Sequence, residues 1–581
     1  MLVYGDHSER ARPAERLVGL AARLADAAAS DGIHRHSALV HALVETGRLL
    51  QGTDDANLAA PELASFVHAL AQAVCRSWDQ RFTGPLAIPQ PPSLPELPQV
   101  DLRLPEGYAF YAVYPEAYAD AARRLTLAGE PRVIGIRSIG TSLAAIVAAA
   151  LDAPPAINVR PAGHPFARHI AVAPELERAL LGGDPHFVIV DEGPGLSGSS
   201  FGAVVDWLSA RSVSLDRIAI LPSHAGSPGS EASERIRTGW PLLQREVADL
   251  GRDLPDLLHA WAEQALGPFD GPLQEISGGE WRRHLAVSEW PAVNPMWERR
   301  KFLARTPHGQ TILLKFAGLG NPGTARLALA RTLHAAGLVP EPLALVHGFL
   351  AERWHADARP LRPADDPPLG EIAHYIGTRA RLLPAASDGG ASLTELLTMA
   401  RRNIALELGN QAAAALDGWE PRLPMLERRV RRTVTDNRLA PHEWLRVEDR
   451  RLLKADALDH HAGHDLIGCQ DPAWDVAGAI LEFDLDELAS AALASATGVP
   501  IDPDLLAFYR IAYAAFRLGQ ARLSLAMVAD PAERERLQAQ GDRFAAHATR
   551  QQSLLDGDPE RTAPGTKLDE DRLKKKMQLS G

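Results

Sequence analysis

Residues 188–208 read VIVDEGPGLSGSSFGAVVDWL. An apolar run ends in two adjacent acids, Asp191 and Glu192. A loop of glycine, proline and serine follows, and apolar residues then recur at helical spacing. The pattern predicts a buried strand, a loop and a helix that begins at about Phe201. The same alternation extends outward. RVIGI at 132–136, INVRP at 157–161, IAVA at 170–173, HFVIV at 186–190 and RIAIL at 217–221 read as strands. Helical stretches at 115–129, 143–151 and 202–210 separate them. Strands alternating with helices predict a mainly parallel, doubly wound sheet with right-handed crossovers.

In such sheets ligands bind at the carboxyl ends of the strands, where Asp191 and Glu192 stand. Gly193, Gly195 and Gly198 let the loop turn its amides inward. Ser197, Ser199 and Ser200 add hydroxyl donors, and the following helix points its N-terminus into the same space. Amides, hydroxyls and a helix N-terminus together favour a phosphate. Two carboxylates do not; they suit sugar hydroxyls or Mg²⁺. One loop therefore offers acids for a diol and donors for a monophosphate.

This arrangement resembles the PRPP-binding motif of the type I phosphoribosyltransferases over about residues 106–225. Arg137-Ser138-Ile139-Gly140-Thr141-Ser142 is similar to the short pyrophosphate loop of that family. By the resemblance, Asp191, Glu192 and Arg137 take catalytic roles, and Asp191 and Glu192 bind Mg²⁺. Gly195, Ser197, Gly198, Ser199, Ser200, Gly140, Thr141 and Ser142 hold phosphate. Arg160, His164, Arg168 and His169, in RPAGHPFARH, stand in the mobile basic loop. The acid-to-SGSS loop is one residue longer than usual, and Gly195 or Leu196 stands where some members carry an acidic base.

Composition bounds the rest. The chain has 581 residues, enough for two to four domains, with 46% hydrophobic and 23% charged residues. A formal net charge of −12 argues against a duplex nucleic-acid binder. Two cysteines, Cys75 and Cys469, have no metal or disulfide spacing and fit a reducing cytoplasm. No apolar run reaches the length of a membrane span. The expected organisation is a helical accessory region at 1–84, a proline-rich linker at 85–105 and the sheet domain with an extension at 106–276. A second domain covers 277–533, and a polar helical or disordered tail covers 534–581.

Before the last 15 residues, only Lys301, Lys315 and Lys454 are lysines; arginine serves elsewhere. A site that needs a compact ammonium cannot take arginine, so these three carry functional expectations. Lys315 lies in TILLKF, on the second strand of a hairpin closed by TPHG at 306–309. Far downstream, residues 433–479 crowd acids and histidines together. These features resemble the aminoglycoside-phosphotransferase branch of the protein-kinase-like fold, a bilobal α+β domain. By that resemblance Lys315 binds the nucleotide, ATP or GTP, Asp436 is the catalytic aspartate that orients the acceptor hydroxyl and Asp456 binds Mg²⁺. Asp471 and Asp475, in DPAWDVAGA, match the structural helix start of the branch, and Asn437 or His442 replaces its metal-binding asparagine. The helix ARLALARTLHAAG at 325–337 has no glutamate for Lys315, and no His-x-Asp triplet precedes Asp436. His460 and His464 have i,i+4 metal-ligand spacing, against which Gly463 argues.

The expected function is therefore a cytoplasmic, Mg²⁺-dependent phosphoribosyltransferase-like enzyme acting on PRPP or a ribose 5-phosphate nucleotide. It is fused to a kinase-like small-molecule phosphotransferase, and an oligomer is compatible with the sequence. The alternative is a non-catalytic nucleotide-sensing regulator that retains both folds.

Overall fold

The computed structural model describes residues 3–555, apart from residues 4, 6–7, 165–166, 196, 230–231, 285–288, 363–364 and 449–450. Leu196, one of two positions compared with an acidic base, lies outside the described residues. Three helices open the chain, Pro13–Ala28, Gly32–Asp55 and Pro61–Asp79, the first and third with proline in the first turn. The second is buried from Leu39 to Thr53. It lies so close to helix Gly140–Ala150 that a Cβ on Gly47 would stand 2.8 Å from Ser142 Cβ. Residues 85–99 have no regular structure, and Val100–Arg103 then pairs antiparallel with Ser8–Ala11.

The central sheet has strands β1 (Glu130–Ile136), β2 (Ile157–Val159), β3 (Pro185–Val190), β4 (Ile218–Leu221) and β5 (Gln244–Arg245). Their order is β2-β1-β3-β4-β5, with every neighbour parallel. The near-continuous apolar runs follow from burial on both faces. Ile134, Ile136 and Ile189 enter one core with Phe201 and Trp207. Val133, Val188 and Val190 enter another with Leu43, Val67 and Leu143. The same second core continues into Leu314 and Phe349. IAVA at 170–173 is not a strand. The chain instead folds back on itself in an exposed antiparallel ribbon, Ala162–His164 against Ala167–His169, so it leaves the sheet where a further strand was expected.

A second, antiparallel sheet follows: β6 (Gln274–Glu275), β7 (Lys301–Arg305), β8 (Thr311–Phe316), β9 (Pro342–Val346) and β10 (Phe349–Arg353), in the order β6-β7-β8-β10-β9. The hairpin around TPHG is present, with Lys315 opposite Lys301. β9 and β10 are joined by a tight turn, because His347 and Gly348 both take positive φ. Beyond residue 368 the lobe is mainly helical. A capping box of Ser392 and Glu395 starts helix Leu393–Leu408. Asp471 caps helix Pro472–Glu482, with Pro472 in its first turn. Helices Pro503–Met527 and Pro531–Leu555 pack along each other. An antiparallel sheet followed by mainly helical chain is the order of elements that the kinase-like resemblance implies. The tail beyond 555 lies outside the described residues. No helix among the described residues is long and apolar enough to cross a membrane.

Candidate functional site

Two clusters of charged side chains stand out among the described residues. At the first, parallel pairing of β1, β2 and β3 brings Arg137, Arg160 and the acid pair to one edge of the sheet. β3 ends at Val190. The Asp191 carboxylate folds back to accept the Glu192 N–H at 2.8 Å. The Glu192 carboxylate accepts the Gly107 N–H at 2.9 Å. Burial pushes Asp191 up to about 7. Burial, with Glu106 and Asp191 as like charges, pushes Glu192 up to about 8. Such a pair is poised to accept a cation or a polyol. Gly195 and Gly198 both take φ near +60°, as the loop requires. Helix Ser199–Ser209 starts two residues before the expected Phe201 because Gly198 serves as its N-cap.

The ribbon reaches this loop: Arg168 Nη1 donates to Ser200 Oγ at 2.7 Å. Ser197 and Ser199 share a hydroxyl contact of 2.9 Å. His164 and His169 sit on the exposed ribbon. Arg160 precedes the ribbon and is not part of a basic arm. It pairs with Asp55 and donates to the Arg137 carbonyl at 3.0 Å. Arg137 likewise lies 3.5 Å from Asp55 and 3.9 Å from Asp54. Burial raises Asp54 to about 6, with the Arg137 charge opposing. The end of the second N-terminal helix therefore supplies acids to this site that the sequence pattern did not flag. Ser142 is a correction. Its hydroxyl lies 2.9 Å from Tyr108 Oη and donates to Ile139 O, on the buried side of the helix. Thr141 is also buried. Gly140 serves by being small: a Cβ there would stand 2.7 Å from Val190 O.

At the second site, Lys315 Nζ donates to Asp456 Oδ1 at 2.5 Å and lies 3.9 Å from Asp459 Oδ1. Burial opposes its charge, but Asp456 and Asp459 outweigh that and raise it. These two aspartates are the acid partners that helix Asn321–Ala335 lacks. Asp436 is buried across from them. Its carboxylate accepts Tyr375 Oη at 2.5 Å and His460 Nδ1 at 2.9 Å, with Lys454 Nζ 3.3 Å away. Lys454 also donates to Glu443 Oε2 at 2.8 Å. His460 Nε2 lies 3.6 Å from Asp456 Oδ2. Burial disfavours its charge, yet Asp456 and Asp436 hold it up at about 10.

Asp475 positions this loop. Its two oxygens accept the backbone N–H groups of Asp436 at 2.8 Å and Asn437 at 2.9 Å. Lys315, Asp456 and His460 line a cavity of about 300 Å³, with Trp281, Trp297 and Trp354 on its walls.

Three expectations fail here. Asn437 cannot stand in for a metal-binding asparagine, because its amide is consumed by Thr435 Oγ1 at 2.8 Å and Gly468 O at 2.7 Å. His442 stacks on Trp281 at 6.0 Å, and burial lowers it to about 4. His460 and His464 do not share a metal. His464 turns instead to Tyr111 Oη at 2.8 Å and to Glu106 at 3.5 Å. Glu443, Asp456 and His460 do place one ligand atom each within 4.8 Å of one another. Mg²⁺ takes oxygen ligands, so Asp456 and Glu443 suit it and His460 does not. Glu443 was missed; its only sequence signal was an acid seven residues after Asp436.

No protein-family model matches the chain, and no curated protein matches it. Solved structures similar to it include the choline kinase LicA from Streptococcus pneumoniae. That likeness has 16% identity and a TM-score of 0.35, covering 51% of this chain and 99% of that one. A macrolide 2'-phosphotransferase type I has 14% identity and a TM-score of 0.33, covering 49% of this chain and 95% of that one. An aminoglycoside phosphotransferase from Alicyclobacillus acidocaldarius has 13% identity and a TM-score of 0.30, covering 44% of this chain and 90% of that one.

Proposed function

We propose that the second site binds a nucleoside triphosphate and transfers its terminal phosphoryl group to a small hydroxylated molecule. The observation that carries this reading is the pairing of Lys315 with Asp456 at 2.5 Å, across 141 residues, opposite the buried Asp436. Lys315 would meet the phosphates as a compact ammonium, leaving Asp456 to a cation. Asp436, held by Asp475 and Tyr375, would orient the acceptor hydroxyl. Asp456 and Glu443 would hold Mg²⁺, which supplies charge neutralisation of the phosphates.

The first site, in the same reading, holds PRPP or a ribose 5-phosphate nucleotide. Asp191 and Glu192 take the ribose diol or Mg²⁺, and the 195–200 loop takes the 5-phosphate. Arg137 and Arg160 would face a pyrophosphate once Asp54 and Asp55 yield them, and Arg168 would join them from the ribbon. Transfer there would rest on charge stabilisation, since no acid occupies position 195.

A second reading is favoured by one observation. His460 stands between Asp436 and Asp456, where it competes with a cation for both carboxylates. On that reading the cleft binds nucleotide without turnover. Calorimetry of the full chain with ATP, GTP, AMP, PRPP and ribose 5-phosphate, with and without Mg²⁺, tests both. Phosphate release or acceptor phosphorylation from bound ATP separates enzyme from sensor. No nucleotide binding at all refutes the kinase-like reading, and no PRPP or ribose 5-phosphate binding refutes the other.

A further inference from the structure

The two sites share a wall. The short helix Glu106–Phe110 and Tyr111 run between them, and both sides of this stretch are engaged. On one side, the Gly107 N–H donates to Glu192 at 2.9 Å. The fit is tight, because a Cβ on Gly107 would stand 2.8 Å from the Glu192 carboxyl. On the other side, Phe110 lines the Lys315 cavity. Its ring centre lies 4.1 Å from that of His464 and 4.4 Å from the Arg299 guanidinium. Tyr111 Oη bonds His464 at 2.8 Å, and Glu106 faces the same imidazole at 3.5 Å.

The contacts continue without a gap into the nucleotide cleft. Arg299 donates to Ala109 O at 2.8 Å and to Asp459 Oδ2 at 3.1 Å. Asp459 lies 3.9 Å from the Lys315 ammonium. On the same segment, Leu319 N–H bonds Tyr108 O at 2.9 Å, and Arg326 bonds Ala109 O at 3.1 Å. A cation or diol arriving at the acid pair competes with the Gly107 N–H for the Glu192 carboxyl group. That competition alters the hold on the 106–111 segment, and with it the placement of Phe110 and Arg299.

We infer that residues 106–111 couple the two sites, so that a phosphorylated sugar at the acid pair changes nucleotide affinity at Lys315, with Phe110 and Arg299 as positioning residues. This inference rests on the ligand classes proposed above. Coupling free energies of this kind correspond to affinity changes of roughly 5-fold or more, equal in both directions.

The test is a calorimetric cycle on the full chain. A non-hydrolysable ATP analogue with Mg²⁺ and ribose 5-phosphate are each titrated alone, and then each is titrated with the other at saturation. The expected result is a reciprocal shift of at least about 5-fold. Phe110→Ala should bring the ratio of affinities toward one. The ratio is read because it cancels any change in basal nucleotide affinity. Tyr111→Phe, which keeps the ring and removes the His464 bond, should reduce the ratio partially and guards against a fold defect in Phe110→Ala. A wild-type ratio within twofold of one, with both ligands bound, overturns the coupling and leaves the proposed function standing. A full ratio retained in both variants overturns the assignment to this wall. If either ligand fails to bind alone, the proposed function of its site falls and the coupling falls with it.

Discussion

Asp475→Asn isolates how the second site is held in shape. Asp475 is buried and accepts two backbone N–H groups, from Asp436 at 2.8 Å and Asn437 at 2.9 Å. A hydrogen bond to a charged group contributes about 1.5–3 kcal/mol, and a buried donor left unmet costs about 1–3 kcal/mol. Asparagine has almost the same volume, keeps one acceptor oxygen and turns an amide NH₂ toward the other N–H. One bond weakens and the other is lost, for a local cost of about 2–4 kcal/mol. Because the chain has several domains, a single melting temperature would blur this effect. Hydrogen exchange of a peptide covering 433–438 reads it directly, as a loss of protection of roughly 30- to 1,000-fold, at about 1.4 kcal/mol per tenfold. The measurement belongs at pH 7.5, where Asp475 is ionised. Burial, with the Asp436 charge, raises its pKa to about 6. At pH 5 the wild-type carboxyl is protonated and resembles the amide, so the wild-type and variant rates should converge. Unchanged protection at pH 7.5 in a folded variant would refute the role of Asp475 as the brace of Asp436.

Lys315→Arg should weaken ATP binding by tenfold or more in calorimetry, since a planar guanidinium cannot fit the buried slot between Asp456 and Asp459; equal affinity would remove Lys315 from the nucleotide. Between about pH 4 and 8 the folded state keeps protons on Asp191 and Glu192 that the unfolded chain has released. Their contribution to stability therefore falls as pH rises through that window. Asp191→Asn with Glu192→Gln should flatten the dependence in denaturant titrations, and a steeper slope would contradict the raised pKa values. Gly107→Ala should destabilise the protein by about 1–3 kcal/mol, because its methyl meets both Glu192 and Ile139 Cδ1 at 2.8 Å. A neutral result would show that this wall yields. Arg168→Ala should leave stability within about 0.5 kcal/mol, as its bond to Ser200 is exposed, yet weaken ribose 5-phosphate binding.

Local pattern was enough for the elements. The strand–acid–acid–loop–helix at 188–208 and the hairpin carrying Lys315 are present as read, because burial on one or two faces writes its period directly into the sequence. Asp471 and Asp475 came from the resemblance carried by DPAWDVAGA, and the helix start is present with Asp471 as its N-cap. The errors fall where a longer-range partner decides. IAVA has strand composition, but the preceding residues close into a ribbon and leave it unpaired. Asn437 and His442 had plausible positions in the chain, and both are consumed by neighbours that arrive from residues 435, 468 and 281.

By itself the sequence determined the alternation that makes the parallel sheet, the acid pair at a strand end and the scarcity of lysine that singled out Lys315. Only the tertiary structure decided who meets whom. Asp456 and Asp459 supply the acids that the helix after Lys315 lacks, Asp54 and Asp55 reach Arg137 and Arg160, and residues 106–111 touch both sites. The physical reason is that periodicity records whether a residue is buried, a property of one residue and its near neighbours. The sign and position of a charge partner depend instead on chain closure over long stretches of sequence, which no local pattern encodes.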